Sequence, residues 1–292
     1  RYQNTNVSIA WLQSFDPNVP DGATQDPLRT SGAAVAHAAG LTGDGALIAI
    51  SDENISPSHE AIAGRITVDS LGVTASEHGT AVASVAAGNA AGFVGVAPDA
   101  DLLFGTWDDR SLADLGQLAL SLGAVAWNNS WGYTTLGLDQ AGFDSAFNIS
   151  QDSRDYLAAL DAYAAEGVVV FSVSNNDALT NATLMDGLPY LRPSLEAGWL
   201  AVANGVPTFA GDVITSVYLL SNECWQAARW CLIADGTWTA ATGPGSDYAP
   251  TTGSSFAAPQ VAGALAILAE AFPTLSPHEL RIRLLASAQD DF

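Results

Sequence analysis

Apolar residues along this chain fall into runs of two lengths. Short runs, such as ALIAIS at 46–51 and VVVFSVS at 168–174, have the length of strands that are buried on both faces. Longer segments with helical spacing lie between them, such as SLADLGQLALSL at 111–122. Strands that alternate with helices imply right-handed crossovers. The predicted fold is therefore α/β, with three layers: a mainly parallel, twisted sheet and helices on both of its faces.

The same reasoning places elements along the rest of the chain. Further strands are predicted at 100–107, 124–131 and 199–206, and helices at 31–40, 78–88, 153–167, 254–272 and 276–288. Residues 1–30 are polar and rich in Asp, Pro and Asn, so we expect an extended N-terminal arm or a loop. No internal repeat or long linker divides the sequence, and we predict a single domain over 1–292.

Charge and hydropathy exclude two classes of partner. The formal net charge is -22, and all nine basic residues are arginine. Such a surface repels phosphate backbones and anionic lipid, so we expect no nucleic-acid partner. No run of 18 apolar residues is present, so we expect no membrane span.

The two cysteines, Cys224 and Cys231, lie close together in sequence. They indicate either a disulfide that closes a short loop in an oxidising compartment or two buried thiols. Two cysteines are too few for the usual zinc site. The chain begins at Arg1 rather than Met, so we expect a processed form whose signal or pro-segment is out of view.

Polar side chains stand at the ends of the predicted strands, where parallel sheets concentrate function. Asp52 follows the strand at 46–51, and His78 begins the helix at 78–88. An acid in such a place can orient an imidazole, but a turn aspartate and a helix-start histidine are alternatives. The other histidines each have a sufficient structural or surface explanation: His37, His59 and His278.

Two further junctions complete the set. Asn175 follows the strand at 168–174, where an amide can serve as an oxyanion donor or as a plain turn residue beside Asn176 and Asp177. Ser255 begins the helix at 254–272, where it can be a nucleophile or a helix cap.

An acid, a base, an amide donor and a hydroxyl thus fall at four junctions in the order Asp, His, Asn, Ser. This order differs from those of chymotrypsin and the α/β-hydrolases. Taken together, the four positions favour nucleophilic catalysis over four unrelated turns and caps.

Longer motifs around these positions resemble those of the subtilase family. HGTAVASVAAG (78–88) resembles its histidine motif, and GSSFAAPQVAGALAIL (253–268) resembles its serine motif, with Ser254 where threonine is usual. The segments at 94–106 and 168–177 are also similar. The resemblance implies a subtilisin-like serine endopeptidase acting on protein or peptide substrates.

The resemblance also implies the role of each site residue. The catalytic triad would be Asp52, His78 and Ser255, and Asn175 would complete the oxyanion hole.

The segment Ser130, Trp131 and Gly132 would be an edge strand that pairs with the substrate backbone, although Trp131 has core packing as an alternative. Ser174 stands where a glycine is usual and would lie beside the pocket for the residue before the scissile bond.

Asp52 is followed by Glu53 and Asn54 instead of the usual Ser/Thr-Gly, and Glu53 adds a charge near the triad.

A narrower resemblance concerns the segments at 188–204 and 221–234. They are similar to the catalytic passenger domains of autotransporter subtilases from Gram-negative bacteria, in which a cysteine pair of this spacing is typical. This implies a secreted or cell-surface protein, with a pro-segment or a translocating barrel in the precursor.

No cofactor is expected. Acidic loops could hold calcium, but no segment matches a dedicated ligand pattern and no metal site is assigned. Two rival functions are a catalytically silent subtilase fold that serves in binding or adhesion, and a lipase or esterase. The second lacks the Gly-x-Ser-x-Gly motif of its class.

Overall fold

The computed structural model describes residues 5–69, 73–133, 135–175 and 181–289. Its central sheet has eight strands in the order β10-β8-β7-β6-β1-β5-β2, and β9 pairs with the far end of β8. All of its strands are parallel except β9. The strands of the described residues are β1 Leu47–Asp52, β2 Ile66–Val68, β3 Asn89–Ala90, β4 Phe93–Val94, β5 Asp101–Thr106, β6 Ala126–Asn129, β7 Val168–Ser172, β8 Trp199–Ala210, β9 Val213–Leu219, β10 Cys231–Ala234, β11 Thr237–Thr242 and β12 Asp247–Thr252.

Helices cover both faces of the sheet, which confirms the predicted α/β class. Ser150 and Ser276 are the N-cap residues of α7 and α10. Each forms a capping box, in which side chains satisfy the first free N–H groups of the helix. The helices are α1 Ile9–Phe15, α2 Pro27–Thr30, α3 Ala33–Ala38, α4 Glu77–Ala87, α5 Asp109–Ser121, α6 Gln140–Phe147, α7 Gln151–Glu166, α8 Leu188–Leu191, α9 Ser254–Ala271 and α10 Pro277–Ser287.

Two hydrophobic clusters, one on each face, hold the layers together. Along β1, Ile48 and Ile50 point into the cluster with α4 and α9, whereas Ala49 points into the cluster with α5 and α7. Successive side chains of a strand point to opposite faces, so an all-apolar strand needs cover on both sides. A short, uninterrupted apolar run therefore indicates a central strand.

Small residues bring α4 and α9 close together beneath the sheet. A Cβ atom on Gly263 would lie 2.8 Å from the carbonyl oxygen of Ala86 and 2.8 Å from the Cβ of Val96. The alanine-rich sequences of both helices thus permit an approach that larger side chains would prevent. Both helices begin at the carboxyl edge of the sheet, where the chemistry-bearing residues lie.

The N-terminal segment, predicted as an extended arm or a loop over 1–30, contains two short helices in the part that the structure describes. Ser8 caps α1 and Asp26 caps α2, whose first residue is Pro27. Leu12 is fully buried with Val206 in a small cluster against the β8–β9 hairpin. Turn-forming residues dominate the composition here, and the few apolar residues that anchor the segment are too widely spaced to predict a helix.

Several element boundaries differ from the prediction. The strand expected at 124–131 ends at Asn129, and the strand expected at 199–206 continues to Ala210. The prediction had no elements for β9, the β11–β12 hairpin or α6. These elements are short or partly exposed, so their apolar runs are too weak to identify them.

The predicted disulfide is present and joins Cys224 to Cys231. It closes a 3-10 turn over Trp225–Trp230. Gln226 accepts a hydrogen bond from the backbone N–H of Ala182 at 3.0 Å, and the indole of Trp230 donates to the carbonyl of Asp186 at 2.9 Å. The disulfide loop therefore fastens the segment that leads into α8.

Replacing Gly116 of α5 by alanine should destabilise the protein, although alanine is ordinarily the better helix former by ~1 kcal/mol. The added Cβ would lie 2.7 Å from the Trp127 ring and 3.1 Å from Ala159. We expect overpacking to lower the free energy of unfolding by about 1–2 kcal/mol net, measured by urea denaturation. Gln117→Ala on the exposed face of the same helix is the control, with a change of about 0.5 kcal/mol or less. Unchanged or increased stability of the Gly116 variant would contradict this packing.

Candidate active site

Asp52 and His78 meet at the carboxyl edge of the sheet. The Nδ1 of His78 lies 2.9 Å and 3.0 Å from the two carboxylate oxygens of Asp52. Asp52 is the last residue of β1 and is fully buried, and the backbone N–H of Glu53 also donates to it at 2.8 Å. A carboxylate in this position holds the imidazole with Nδ1 protonated, which leaves Nε2 free to accept a proton.

Gly79 lets the first turn of α4 approach the end of β1. A Cβ atom there would collide with the carbonyl of Asn54 and lie 3.2 Å from the Cβ of Asp52. Thr80 is buried behind it and accepts a hydrogen bond from the backbone N–H of Ser56 at 2.9 Å. The small residue beside His78 is thus required by the short distance between helix and strand.

Ser255 lies in the first turn of α9. Its hydroxyl donates to the backbone carbonyl of Ser130 at 3.2 Å, and the hydroxyl of Ser130 donates to the Ser255 carbonyl at 2.7 Å. The ring of Phe256, the next residue, lies 5.5 Å from the His78 ring. In the described part of the chain, no hydrogen bond joins Ser255 to His78. Such contacts are often long without substrate and tighten when it binds.

Asn175 follows β7 and is tied to the same helix start. Its side-chain oxygen accepts from the backbone N–H of Ser254 at 3.1 Å, which leaves the amide NH₂ as a donor. The buried hydroxyl of Ser254 donates to the carbonyl of Val173 at 2.5 Å. The serine that replaces the expected threonine therefore joins the β7 end to α9. Asn176 and Asp177, which follow, lie outside the described residues.

The segment Ser130 to Gly132 is not a strand, because β6 ends one residue earlier. Its backbone runs past Ser255, as the Ser130 contact shows. The Trp131 ring packs 5.5 Å from Phe171, and its Nε1–H donates to Ser51 at 3.2 Å. Core packing, the alternative left open for this tryptophan, is what the structure shows for its side chain.

Asp186 is a buried acid that the sequence does not mark. It is 1% exposed, and its carboxylate accepts a hydrogen bond from the Thr183 hydroxyl at 2.8 Å. Burial raises the pKa of Asp186 to about 6, against the lowering effect of this bond. The Ser174 carbonyl accepts from the backbone N–H of Asn222 at 2.9 Å. No sequence signal marks this acid, because Trp230, which donates to its backbone carbonyl, is distant along the chain.

Burial and hydrogen bonding act in opposite senses on the Asp52–His78 pair. Burial raises the pKa of the Asp52 carboxyl, and the hydrogen bonds from His78 and the Glu53 backbone oppose this rise. Burial alone would lower the pKa of His78, but the hydrogen bond and charge of Asp52, with the charge of Glu53, leave it raised above 6.5. The site therefore stabilises the imidazolium that forms when His78 takes up a proton, while the neutral imidazole is the form that can accept one.

The other histidines are engaged elsewhere. His59, predicted to lie in a polar loop, is fully buried, with Nε2 3.0 Å from the Asp247 carbonyl and Nδ1 accepting from the Ala61 N–H. His37 and His278 contact backbone carbonyls through Nε2. Among the residues that the structure describes, no group of three or more His, Cys, Asp or Glu side chains is placed to hold a metal, and no helix is long and apolar enough to span a bilayer.

Comparison with known proteins identifies the family of this chain. The model of the subtilase family matches residues 43–292, which is most of the chain. The protein belongs to the subtilase family. It is accordingly a serine endopeptidase, a hydrolase of the subtilisin type.

Related proteins are found in several bacteria. Subtilisin E of Bacillus subtilis is 26% identical over 96% of this chain and 70% of its own length. A probable subtilase-type serine protease of Deinococcus radiodurans is 30% identical over 73% of this chain and 28% of its own length. Serotype-specific antigen 1 of Mannheimia haemolytica is 27% identical over 56% of this chain and 18% of its own length.

Solved structures share the fold at low sequence identity. The prenylagaramide maturation protease PagA has a TM-score of 0.65 at 20% identity and covers 88% of both chains. The protease domain of PatA has a TM-score of 0.64 at 23% identity, over 86% of this chain and 90% of that one. These likenesses confirm the predicted sheet architecture.

The pKa of His78 should lie above 6.5, because Asp52 and Glu53 stabilise the imidazolium. The acid limb of kcat/KM should then also lie above pH 6.5, since a protonated imidazole cannot accept the serine proton. NMR titration of the ring protons in a Ser255→Ala protein, which prevents self-cleavage, measures this pKa directly. Adding Asp52→Asn should lower it, while the ring of His37 serves as the internal control. A His78 pKa that is lower than 6.5, or insensitive to Asp52→Asn, would contradict the pairing.

Proposed function

We propose that the protein cleaves peptide bonds of protein substrates through an acyl-enzyme, with Asp52, His78 and Ser255 as the catalytic triad. The observation that carries this proposal is the double contact of the buried Asp52 carboxylate with Nδ1 of His78, beside the helix start that holds Ser255. Membership of the subtilase family supports the same chemistry.

In the proposed first step, the Ser255 hydroxyl leaves the Ser130 carbonyl and donates to Nε2 of His78. The serine oxygen attacks the substrate carbonyl as His78 takes its proton, and Asp52 stabilises the imidazolium that forms. His78 then returns the proton to the leaving amine. Water hydrolyses the ester by the same route and regenerates the serine.

Asn175 and the backbone N–H of Ser255 are the proposed oxyanion donors. The anchoring of the Asn175 oxygen by Ser254 fixes the orientation of its NH₂ group before substrate arrives. Fixed donors need no reorganisation when charge develops, which makes them effective in the transition state. Ser254 contributes by position and does not contact the substrate.

The substrate would lie between two backbone segments. We propose that Ser130, Trp131 and Gly132 supply main-chain partners to an extended peptide, with Ser174 on the opposite wall. Trp131 would act through its backbone, since its ring packs into the core. The Thr183 hydroxyl lies 3.9 Å from the position of a Cβ on Gly132, so the segment that holds Asp186 lies next to Gly132.

Residues 1–292 are proposed to form one catalytic domain, because the described N-terminal segment packs against the β8–β9 hairpin. Export to the cell surface or medium, from a Gram-negative bacterium, is supported by the disulfide and by the similarity to the Mannheimia antigen. A precursor with a pro-segment or a translocating barrel would be consistent with this route.

Ser255→Ala should reduce cleavage of casein to the residual level that binding alone sustains. We expect a fall of about 10⁶-fold in kcat, the loss seen when subtilisin loses its serine. The same change should abolish labelling by a fluorophosphonate probe, which reacts only with an activated serine. Ser287→Ala, at the end of α10, is the matched control and should keep both activities. A wild-type protein that is never labelled would support the silent binding module, and full activity of the Ser255 variant would refute the assigned nucleophile.

Asn175→Ala should lower kcat by about 100- to 1000-fold with little change in KM, the loss seen when subtilisin loses this kind of donor. The reason is that the amide acts on the oxyanion and not on the ground-state carbonyl. Steady-state kinetics on a peptide anilide separate the two constants, with the exposed Asn18→Ala as control. An effect confined to KM would indicate a role in substrate binding instead.

A further inference from the structure

The strand β6 ends in buried polar residues that its place in the sheet does not explain. It lies between β1 and β7, so a strand there needs apolar side chains on both faces. Asn128 and Asn129 are nonetheless fully buried, and Ser130, which follows the strand, is only 3% exposed. Buried polar groups are unfavourable unless they are hydrogen-bonded. Such a run therefore indicates that its hydrogen bonds have a role beyond packing.

The Ser130 hydroxyl reaches the backbone of Ser255. It donates to the Ser255 carbonyl at 2.7 Å, across 125 residues of sequence. In an α-helix this carbonyl would accept from the backbone N–H four residues later, and the residue there is Pro259. Proline has no backbone N–H, and its ring also crowds the carbonyl four residues earlier. The Ser130 hydroxyl therefore takes the place of the helical donor that Pro259 cannot supply.

Asn128 orients the Ser130 hydroxyl. The side-chain NH₂ of Asn128 donates to Oγ of Ser130 at 3.0 Å, so the proton of that hydroxyl is left for the Ser255 carbonyl. Asn128 is in register with Ile50 of β1 and Val170 of β7, so these contacts start from the middle of the sheet. Its Oδ1 atom has no hydrogen-bond partner in the part of the chain that the structure describes. An unsatisfied buried group breaks a rule of packing, which natural proteins do chiefly at functional sites.

We propose that Ser130 and Asn128 are positioning residues for the nucleophile. Asn128 orients the Ser130 hydroxyl, which holds the Ser255 carbonyl and with it the direction of the Ser255 side chain. A misplacement of about 1 Å can reduce the rate of an enzyme about 100-fold, so a loose backbone at the nucleophile would lower turnover. This inference rests on the proposed function, since it concerns the same serine. It differs from the substrate pairing proposed for the Ser130 backbone, which a side-chain substitution leaves in place.

A purely structural role is the competing explanation. The same bonds could only join β6 to α9, as the buried hydroxyl of Ser153 only stabilises α7 by donating to the Ser150 carbonyl at 3.1 Å. A stability contact changes the fraction of folded protein and leaves the kcat of the folded molecules unchanged. A positioning contact changes kcat even where every molecule is folded. The two explanations therefore differ in the quantity that responds.

The first test is Ser130→Ala, with kcat and KM measured on a peptide anilide after urea denaturation has shown that the variant is folded in buffer. We expect kcat to fall about 10- to 100-fold with KM nearly unchanged, because alanine keeps the backbone groups that pair with substrate. The rate of labelling by a fluorophosphonate should fall similarly, since the probe reacts with Ser255 directly. Ser153→Ala is the matched control and should keep kcat. An unchanged kcat in Ser130→Ala, or an effect confined to KM, would overturn the proposal.

Asn128→Leu separates activity from stability. Leucine has the same branched shape as asparagine, and it removes both the donor to Ser130 and the unsatisfied Oδ1 atom. We expect stability in urea to be retained, because the loss of an unpaired buried acceptor offsets the loss of one hydrogen bond. We expect kcat to fall several-fold, because the Ser130 hydroxyl is no longer oriented. Reduced stability with an unchanged kcat would show a structural role and overturn the part assigned to Asn128.

Pro259→Ala supplies the missing helical donor. Alanine at this position has a backbone N–H for the Ser255 carbonyl, as in a regular helix. The Ser130 hydroxyl then becomes redundant, so Ser130→Ala should lower kcat less in the Pro259→Ala background than in the wild type. We expect the loss to shrink by a factor of about three or more in this double-mutant cycle. Equal losses in both backgrounds would show that Ser130 does not act through this carbonyl, and would overturn the proposal.

The outcomes also separate this inference from the proposed function. A wild type that cleaves peptides, together with a Ser130→Ala variant of equal kcat, would overturn the positioning role and leave the triad intact. A wild type with no cleavage and no probe labelling would instead refute the proposed function, and this inference with it.

Discussion

The hydrogen bond between Asp52 and His78 is the contact on which the site depends. A fully buried carboxylate is strongly unfavourable unless donors compensate for the water it has lost. The imidazole and the backbone N–H of Glu53 supply those donors. Helix α4 must therefore begin within reach of the end of β1, and only a residue without a side chain at Gly79 permits that approach.

The junction between β7 and α9 also depends on hydrogen bonds to buried polar groups. Ser254 is fully buried, and it bonds to the backbone of Val173 and to the side chain of Asn175. The start of α9 and the end of β7 thus form one rigid unit that carries Ser255 and the amide donor together. Preorganisation of this kind is set before any substrate binds.

Segments outside the central sheet make further contacts near these two junctions. The Cys224–Cys231 loop fastens the segment that contains Asp186, because the Trp230 indole donates to the Asp186 carbonyl. Near the imidazole, Glu53 accepts a hydrogen bond from the hydroxyl of Ser76, the N-cap residue of α4. These contacts lie outside the core of the sheet, so they can vary without altering the positions of β1, α4, β7 and α9.

The sequence by itself determined the α/β class, the central strands and the four junction positions, because continuous apolar runs and small-residue helices are local signals. Only the tertiary structure decided that the N-terminal segment packs on the β8–β9 hairpin and that the Trp131 ring faces the core. It also decided that Asp186 is buried and that Ser255 bonds to Ser130. Each of these facts depends on a partner far away along the chain, and burial by such a partner leaves no periodic trace in the residues themselves.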